Sequence, residues 1–386
     1  MKKIYIIIGV LVFLLVVGVW AYLFTYGTSG ADGVFAQFGA GKDSDNPAPV
    51  QEPTYVDVSD VETATGAPQA LKQLTTRPVA GAGFVEGGIR YVERGTGHVY
   101  QIDLFSGTES LISGTTIPGT QTALFSPDGT YAAVTTFDGG VSKTLVGMIS
   151  STDFSGESLP TGAENIFFTN ASGTLSYTLS SNTGTVGYSY NLERKVGTQV
   201  FAIPLRDVRV VWGNPVYVYT TPSAHQMGYV YRIEKSTPMY VTEGKKGLSA
   251  LNTGQKLIVT WNSDTLVRSG VQDDAGLTTL QLPIIPEKCA LTEFTLYCGV
   301  PNTRVDVGTF PDSWYKGIVS YSDELYVTSL ATGNDPILLV DLLATSGREI
   351  DILKMGVDSK EELLYFINKN DDSLWMYDIR LGQTRE

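Results

Sequence analysis

From about residue 82 to its C-terminus, the chain alternates short apolar segments with turn residues. A typical unit has a short apolar strand, a turn, a longer β-rich strand, a second turn and a strand that ends in an acidic residue. The clearest unit is ALFSPDGTYAAVTTFDGGVSKTLVGMIS, residues 123–150, in which Pro127, Asp128 and Gly129 form a turn. Runs such as LLYFI and LWMYDI are apolar throughout, which is typical of strands buried on both faces. The pattern predicts an all-β domain of many short strands.

The units recur at a nearly constant interval of about 40 residues, the period of propeller blades. Five of them begin at Ala123, Ile166, Val210, Ala250 and Cys289. Constant unit length favours a closed ring of like units over two stacked sheets, which do not require it. Further units from Gly83 and Ile352 give a predicted β-propeller of seven blades. Six or eight blades remain alternatives, because the unit after Cys289 contains an insertion.

The last unit shows only three strands. We predict that a strand from the N-terminal side, within residues 55–58 or 71–76, completes this blade. Closing the ring in this way removes an exposed strand edge.

An uncharged apolar run covers residues 4–24 and is long enough for one helix to cross a bilayer. Lys2 and Lys3 precede the run, whereas the first charge after it is Asp32, so the positive-inside rule keeps the N-terminus in the cytoplasm. We therefore predict a cytoplasmic stub and transmembrane helix over residues 1–26, with an extracytoplasmic C-terminal domain in the cell membrane. A cleaved signal peptide is the alternative, although the run exceeds the usual length of its apolar region.

Residues 27–74 are rich in Gly, Ala, Pro, Asp and Thr and show little periodicity. Such a segment cannot bury enough apolar surface to offset its chain entropy. We expect a flexible linker over residues 27–74 and the propeller over residues 75–386.

The chain is acidic, with 27 Lys and Arg against 40 Asp and Glu and a formal charge of −13. Nucleic acid is therefore an unsuitable partner, because phosphate binding requires clustered positive charge. The only cysteines are Cys289 and Cys298. They would lie on adjacent antiparallel strands, and an oxidising compartment favours a disulfide between them over two buried thiols.

Several segments carry a family resemblance. FSPDGTYAAV resembles the repeat signature of TolB-like and WD40-like β-propellers. KQLTTRPVAGAGF, IRYVERGTGHVYQIDL and FPDSWYKGIVSYSDELYV together resemble membrane-anchored propeller proteins, without assigned activity, of small-genome uncultured bacteria. The resemblance covers about residues 71–380 and implies the fold, but no activity, because function does not follow from a fold.

Motifs for catalysis are missing from the sequence. It contains no G-x-S-x-G elbow, no H-E-x-x-H and no Gly-rich phosphate loop, so we predict no catalytic or cofactor-binding residue. His98 and His225 are interpreted as structural. The Asp-rich turn at residues 368–373 offers oxygen ligands for Ca²⁺, but it lacks the spacing of an EF-hand and is better explained as a solvated turn.

The insertion, residues 301–323, places Phe310, Trp314 and Tyr315 in one loop. These aromatic side chains either cap the propeller rim or dock a partner. The leading hypothesis is a membrane-tethered, non-enzymatic module that binds a protein or envelope component. The alternative is a hydrolase or lyase acting on a sugar or lactone in the central channel, with Ca²⁺ as an optional cofactor. It would need several carboxylates converging there.

Overall fold

The computed structural model describes residues 69–383, apart from 151–152, 170–172, 253–255, 274–275 and 331–334. The predicted anchor and nearly all of the predicted linker lie outside the described residues. No helix within the described part of the chain is long and apolar enough to cross a membrane.

Seven four-stranded antiparallel sheets form the blades of a β-propeller, which confirms the predicted fold and blade number. The first strand in the sequence, β1 (Leu71–Thr75), belongs to the last blade. Blade 1 comprises β2 (Val79–Val85), β3 (Gly88–Glu93), β4 (Val99–Asp103) and β5 (Glu109–Ser113). Blade 2 comprises β6 (Thr120–Phe125), β7 (Tyr131–Asp138), β8 (Val141–Ile149) and β9 (Phe154–Ser158). Blade 3 comprises β10 (Ala163–Phe168), β11 (Thr174–Ser181), β12 (Gly184–Asn191) and β13 (Val196–Ile203).

Blade 4 comprises β14 (Val208–Val211), β15 (Tyr217–Thr220), β17 (Val230–Glu234) and β18 (Thr237–Tyr240), beside a small pair of β16 (Met227–Gly228) and β19 (Lys245–Lys246). Blade 5 comprises β20 (Ser249–Asn252), β21 (Leu257–Asn262), β22 (Val267–Asp273) and β23 (Gly276–Leu280). Blade 6 comprises β24 (Cys289–Leu291), β25 (Thr295–Pro301), β26 (Asp323–Ser329) and β27 (Ile337–Asp341). Blade 7 comprises β28 (Ile352–Val357), β29 (Leu363–Asn368), β30 (Leu374–Asp378) and β1.

The helical segments described are all short. A 3₁₀ turn (Pro286–Lys288) precedes blade 6. The α-helices are α1 (Asp312–Tyr315), α2 (Leu342–Ser346) and α3 (Ile379–Gln383). Helix α2 is capped by Asp341, whose carboxylate accepts from the backbone N of Ala344 at 2.9 Å.

The first strands of blades 1 to 4 contact one another in sequence around the axis, and β28 of blade 7 contacts β2 of blade 1. Because strands alternate in direction, the turns between second and third strands all lie at one end of the blades. We call this end the insertion face, because the insertion of blade 6 occupies one of these turns.

The ring is closed by β1, which pairs antiparallel with β30 and places Leu71 opposite Tyr377. The backbone N of Asp378 also donates to the carbonyl of Ala70 at 2.7 Å. The predicted closing strand at residues 71–76 is thus confirmed, and the other candidate, residues 55–58, lies outside the described residues. Residues 71–74 of the predicted linker belong to β1 and are therefore part of blade 7.

Neighbouring blades share apolar cores. One such core combines Ala80 and Val92 of blade 1 with Ala123 and Val134 of blade 2. Since each sheet is covered on both faces, its strands need no alternation of polar and apolar residues. This explains the continuous apolar runs in the sequence.

Two axial strands contain a β-bulge with a positive-φ residue, Asn165 (φ 49) and Lys354 (φ 52). The Asn165 side chain accepts from the N of Val210 at 3.2 Å and its carbonyl accepts from Trp212 Nε1 at 2.5 Å, joining blade 3 to blade 4. The Lys354 amine donates to the carbonyl of Ala80 at 2.9 Å and joins blade 7 to blade 1. The bulges therefore direct polar groups of one blade onto the next.

Candidate functional site

The insertion connects β25 to β26 as a compact loop with a closed base. The last pair of this ladder is Pro301 with Asp323, and the N of Asn302 donates to the carbonyl of Ser322 at 2.9 Å. Within the loop, helix α1 presents its side chains toward neighbouring blades. The predicted boundaries of the insertion, residues 301–323, match this geometry.

Hydrogen bonds attach the insertion to blades 4, 5 and 7. Asn262 of blade 5 donates to the carbonyls of Val307 at 3.0 Å and Phe310 at 2.6 Å. Asp312 accepts from the backbone N of Ala224, in the corresponding turn of blade 4, at 2.6 Å. On the other side, the indole of Trp314 reaches the start of blade 7. The insertion is thus fixed over one side of the propeller face.

The three aromatic residues singled out in the sequence have different environments. Phe310 and Trp314 are 2% and 1% exposed and pack with Ile285 and Tyr321, among others, in one apolar cluster. Tyr315 remains 39% exposed. Two of the three partner-binding candidates are therefore packed inside the domain, and only Tyr315 has surface available for contact.

A charged cluster lies beneath the insertion, between blades 6 and 7. The amine of Lys288 contacts Asp323 Oδ1 at 2.7 Å and Oδ2 at 2.6 Å, and Asp351 Oδ1 at 2.5 Å. All three side chains have no solvent exposure. Burial raises the pKa of Asp323 to about 6, although the nearby Lys288 opposes this shift.

The Asp351 carboxylate is the centre of this cluster. It accepts from Trp314 Nε1 at 3.0 Å, Ser320 Oγ at 2.9 Å and the backbone N of Tyr321 at 3.1 Å. Lys369 Nζ lies 3.7 Å from its Oδ2. One carboxylate at the entrance to blade 7 therefore binds the indole, a hydroxyl and the backbone of the insertion.

Sequence reasoning missed this cluster. Lys288, Asp323 and Asp351 are separated by tens of residues and stand beside ordinary strand starts, so no spacing connects them. The sequence feature that could have indicated the cluster is the position of these three charged residues next to apolar strands of adjacent blades.

A second polar contact joins the insertion to the 3₁₀ turn before blade 6. The hydroxyl of Tyr315 donates to Glu287 Oε1 at 2.5 Å. Burial raises the pKa of Glu287, while the Tyr315 hydrogen bond and the charge of Arg209 act in the opposite direction. Glu287 Oε2 is also buried and has no hydrogen-bond partner among the described residues.

A cavity of about 510 Å³ lies within blades 2 to 4, and its lining includes Arg209, whose charge acts on Glu287. Its lining consists of Thr122, Leu124, Thr135, Ser142, Ala163, Glu164, Asn165, Ile166, Asp207, Val208, Arg209 and Thr221. Hydroxyl groups, two carboxylates and one guanidinium face this space, which is large enough for a small polar ligand.

The hydrolase alternative requires carboxylates that converge on one site. Among the described residues, no group of three or more His, Cys, Asp or Glu side chains is arranged to hold a metal ion. In the Asp-rich turn, Asp371 binds Arg348 at 2.7 Å and Asp372 pairs with Arg94 at 3.2 Å. Both carboxylates of this turn therefore already have cationic partners.

The two cysteines occupy paired positions on β24 and β25. A disulfide joins Cys289 to Cys298, with their Cα atoms 4.2 Å apart. The bond lies next to Lys288 and holds the first two strands of blade 6 together. Neither cysteine lines the cavity, and the disulfide has a structural role.

The insertion face also carries exposed apolar side chains. They lie in or beside the turns between second and third strands of blades 2, 4, 5 and 6, and are Phe137, Val141, Met227, Leu266 and Ile318. Ile318 is 74% and Phe137 is 59% exposed. Isolated apolar residues are normal on protein surfaces, but several on one face are typical of interaction surfaces.

Comparison with known proteins identifies the fold. No family model matches the sequence, and no curated protein matches it. The β-propeller domain of the Trilobed protease from Pyrococcus furiosus, described as having an open velcro topology, aligns with a TM-score of 0.55 and 12% identity over 78% of this chain and 95% of that one. The Niastella koreensis GH74 enzyme aligns with a TM-score of 0.52 and 12% identity, over 81% of this chain and 54% of that one.

An acylaminoacyl peptidase from Pyrococcus horikoshii also aligns, with a TM-score of 0.52 and 10% identity over 76% of this chain and 49% of that one. The chain thus spans about half the length of this peptidase and of the GH74 enzyme. The chain has a β-propeller fold. At these identities the similarity extends to the fold alone, so the resemblance to TolB-like and WD40-like proteins is shown only as far as the propeller.

Proposed function

We propose that this protein is a membrane-tethered, extracytoplasmic binding module whose insertion face docks a protein or another envelope component. The observation that carries the proposal is the placement of exposed apolar side chains from four blades on one face of the propeller. The membrane anchor and its orientation are part of the proposal. They are supported by the uncharged apolar run at residues 4–24 and by the two lysines that precede it.

The apolar side chains on this face suit a protein partner. Ile318 of the insertion and Leu266 of blade 5 lie in turns that are joined by the hydrogen bonds of Asn262. Protein interfaces combine a central apolar contact with a polar rim, and hydroxyls and charges of the cavity supply such polar groups here.

Rigidity of the insertion supports the same proposal. Trp314 is buried and hydrogen-bonded, and Asp312 is fixed to blade 4, so the loop needs no ordering when a partner binds. Preorganised surfaces lose less conformational entropy on association.

The cavity favours a second candidate, a channel enzyme acting on a sugar or lactone. Glu164 and Asp207 could supply the acid and base of such a reaction. Peptidases and a glycosidase share the fold, which does not distinguish the two candidates. Thermal unfolding of the full-length chain with cell-wall sugars tests this candidate, because a ligand of the folded state raises the midpoint. A Glu164→Gln variant should lose any such shift.

Site-specific cross-linking in native membranes tests the binding proposal. A photoreactive amino acid at Leu266 should form a protein adduct, and Ile318→Asp in the same chain should abolish it. The matched control is Phe105→Asp, at a fully exposed position in a turn on the opposite face, which should leave the adduct unchanged. Equal loss with both variants, or an adduct insensitive to Ile318→Asp, would reject this face as the docking site.

A further inference from the structure

Lys288 lies in an environment that is unusual for a lysine. Its amine is fully buried and within 2.7 Å of oxygens from two aspartates. The rings of Trp314 and Tyr321 lie over it, with centroids 5.4 and 5.2 Å away. One amine and two carboxyl groups thus lie in contact in the interior, with no exposure to solvent.

As separate ions, these groups are expensive to bury. An ammonium and two carboxylates lose their hydration, and their mutual attraction repays this loss only in part. Burial favours the protonated, neutral form of the Asp323 carboxyl, although the nearby Lys288 opposes this. A neutral amine next to a neutral carboxyl group is the reactant pair for an amide bond.

We propose that Lys288 and Asp323 become joined by an intramolecular isopeptide bond, formed after folding with Asp351 as the proton carrier. The reacting state contains the Lys288 ammonium, protonated Asp323 and ionised Asp351. Asp351 takes one proton from the ammonium, and the free amine attacks Cγ of Asp323.

The tetrahedral adduct formed by this attack then loses water to give the amide. The new bond joins Lys288 Nζ to Asp323 Cγ, and the Cγ–OH bond breaks. A second amine proton reaches the departing hydroxyl through Asp351, so that one water leaves and Asp351 remains protonated. No oxidant, reductant or activated donor is required.

The contacts distinguish the roles of the two aspartates. Both oxygens of Asp323 lie within 2.7 Å of the amine. Among the described residues, the one other group that donates to Asp323 is the backbone N of Ile352, at 2.7 Å. Asp351 is instead held by the indole, hydroxyl and backbone donors of the insertion. Its Oδ1 lies 2.5 Å from the amine, close enough to transfer a proton. The raised pKa of Asp323, about 6, increases the fraction of this carboxyl that is protonated and can release water.

Such a bond would enclose the first two strands of blade 6 and the insertion in a covalent ring. Lys288 precedes β24, and Asp323 begins β26, so the ring would contain the disulfide and the whole insertion. Cross-links restrict the unfolded chain, and their effect grows with the length of the closed loop.

Mass spectrometry of the full-length chain tests the proposal. After reduction and tryptic digestion, we expect a branched peptide in which Lys288 is joined to Asp323 and whose mass is lower than the sum of its parts by one water. Asp323→Ala and Lys288→Met should yield only linear peptides. Asp351→Asn should slow or prevent the loss of water while leaving both reacting groups in place.

The wild-type chain alone decides the outcome, so misfolding of a variant cannot obscure it. Linear Lys288 and Asp323 peptides at full mass from folded wild-type protein would overturn the proposal and leave an ionic cluster. A branch that joins Lys288 to Asp351 would also overturn it, because the roles of the two aspartates would be reversed.

Discussion

Ring closure by β1 gives a sharp test of the fold. Leu71 is 5% exposed and lies in the apolar cluster of blades 6 and 7, with Trp375 and Tyr377. The next residue on the same strand, Lys72, points to solvent. Leu71→Ala therefore removes buried surface at the ring closure, and Lys72→Ala is a matched control.

The magnitude follows from the burial. Truncating a buried leucine to alanine lowers the free energy of unfolding by about 2–5 kcal/mol, and the lower half of this range suits a site on an edge strand, which can relax. A surface substitution such as Lys72→Ala should change the free energy of unfolding by less than about 0.5 kcal/mol.

Denaturant unfolding of the full-length chain in detergent, followed by tryptophan fluorescence, measures both variants. Limited proteolysis adds a local readout, because loss of β1 exposes the edge of β30 and should produce early cleavage within residues 69–78. Equal stability of the two variants would refute the role of β1 in closing the ring. Early cleavage at another blade in Leu71→Ala would likewise place the weakest junction elsewhere.

Further predictions concern the blade contacts and the disulfide. Asn165→Gly keeps the positive φ but removes the side-chain bonds to blade 4, so we expect unfolding free energy to fall by about 1–3 kcal/mol, measured with denaturant. Replacing Cys289 and Cys298 together by serine should lower it by about 2–3 kcal/mol, because a short loop is released in the unfolded chain, and a reductant should act equally on the wild type. Burial lowers the pKa of Lys354 to about 8, so the charged amine destabilises the fold below that pH and this penalty fades as the pH rises toward 10.5. The stability of Lys354→Met relative to wild type should therefore decrease between pH 8 and pH 10.5, as followed by denaturant unfolding at each pH.

Each of these predictions has a result that contradicts it. Asn165→Ala should be less stable than Asn165→Gly, because alanine disfavours positive φ, and the reverse order would argue against the strained bulge. An unchanged stability of the double serine variant would mean that the disulfide does not restrict the unfolded chain. A difference between Lys354→Met and wild type that does not depend on pH would show that the amine is not desolvated in the folded state.

The propeller architecture could be predicted from the sequence because local features of the chain determine it. The repeat interval, the turn residues of each unit and the missing strand of the last unit were all visible in the printed chain. The closing strand followed from a physical requirement, since an unpaired β30 would leave an edge open. Each of these signals lies within one unit or at an end of the domain.

The arrangement beneath the insertion could not be predicted in this way. Aromatic residues in a long loop are compatible with either packing or docking, and only the position of Asp351 relative to Trp314 decides for packing. That position depends on how blade 7 lies against blade 6. Contacts between blades depend on how the whole ring is assembled. The sequence of one repeat unit does not show which residues of the next unit it will contact.

The two proposals about the insertion differ in what they require. Docking at the insertion face needs a rigid loop, and hydrogen bonds from Asn262 and Ala224 already hold it. The isopeptide bond instead joins Lys288 to Asp323 in the buried cluster beneath the insertion, whereas the side chains of Leu266 and Ile318 are exposed. A chain with an ionic cluster in place of the amide would still present the same surface. Loss of the cross-linked peptide would therefore leave the docking proposal standing, whereas loss of the adduct at Leu266 would leave the chemistry of Lys288 untouched.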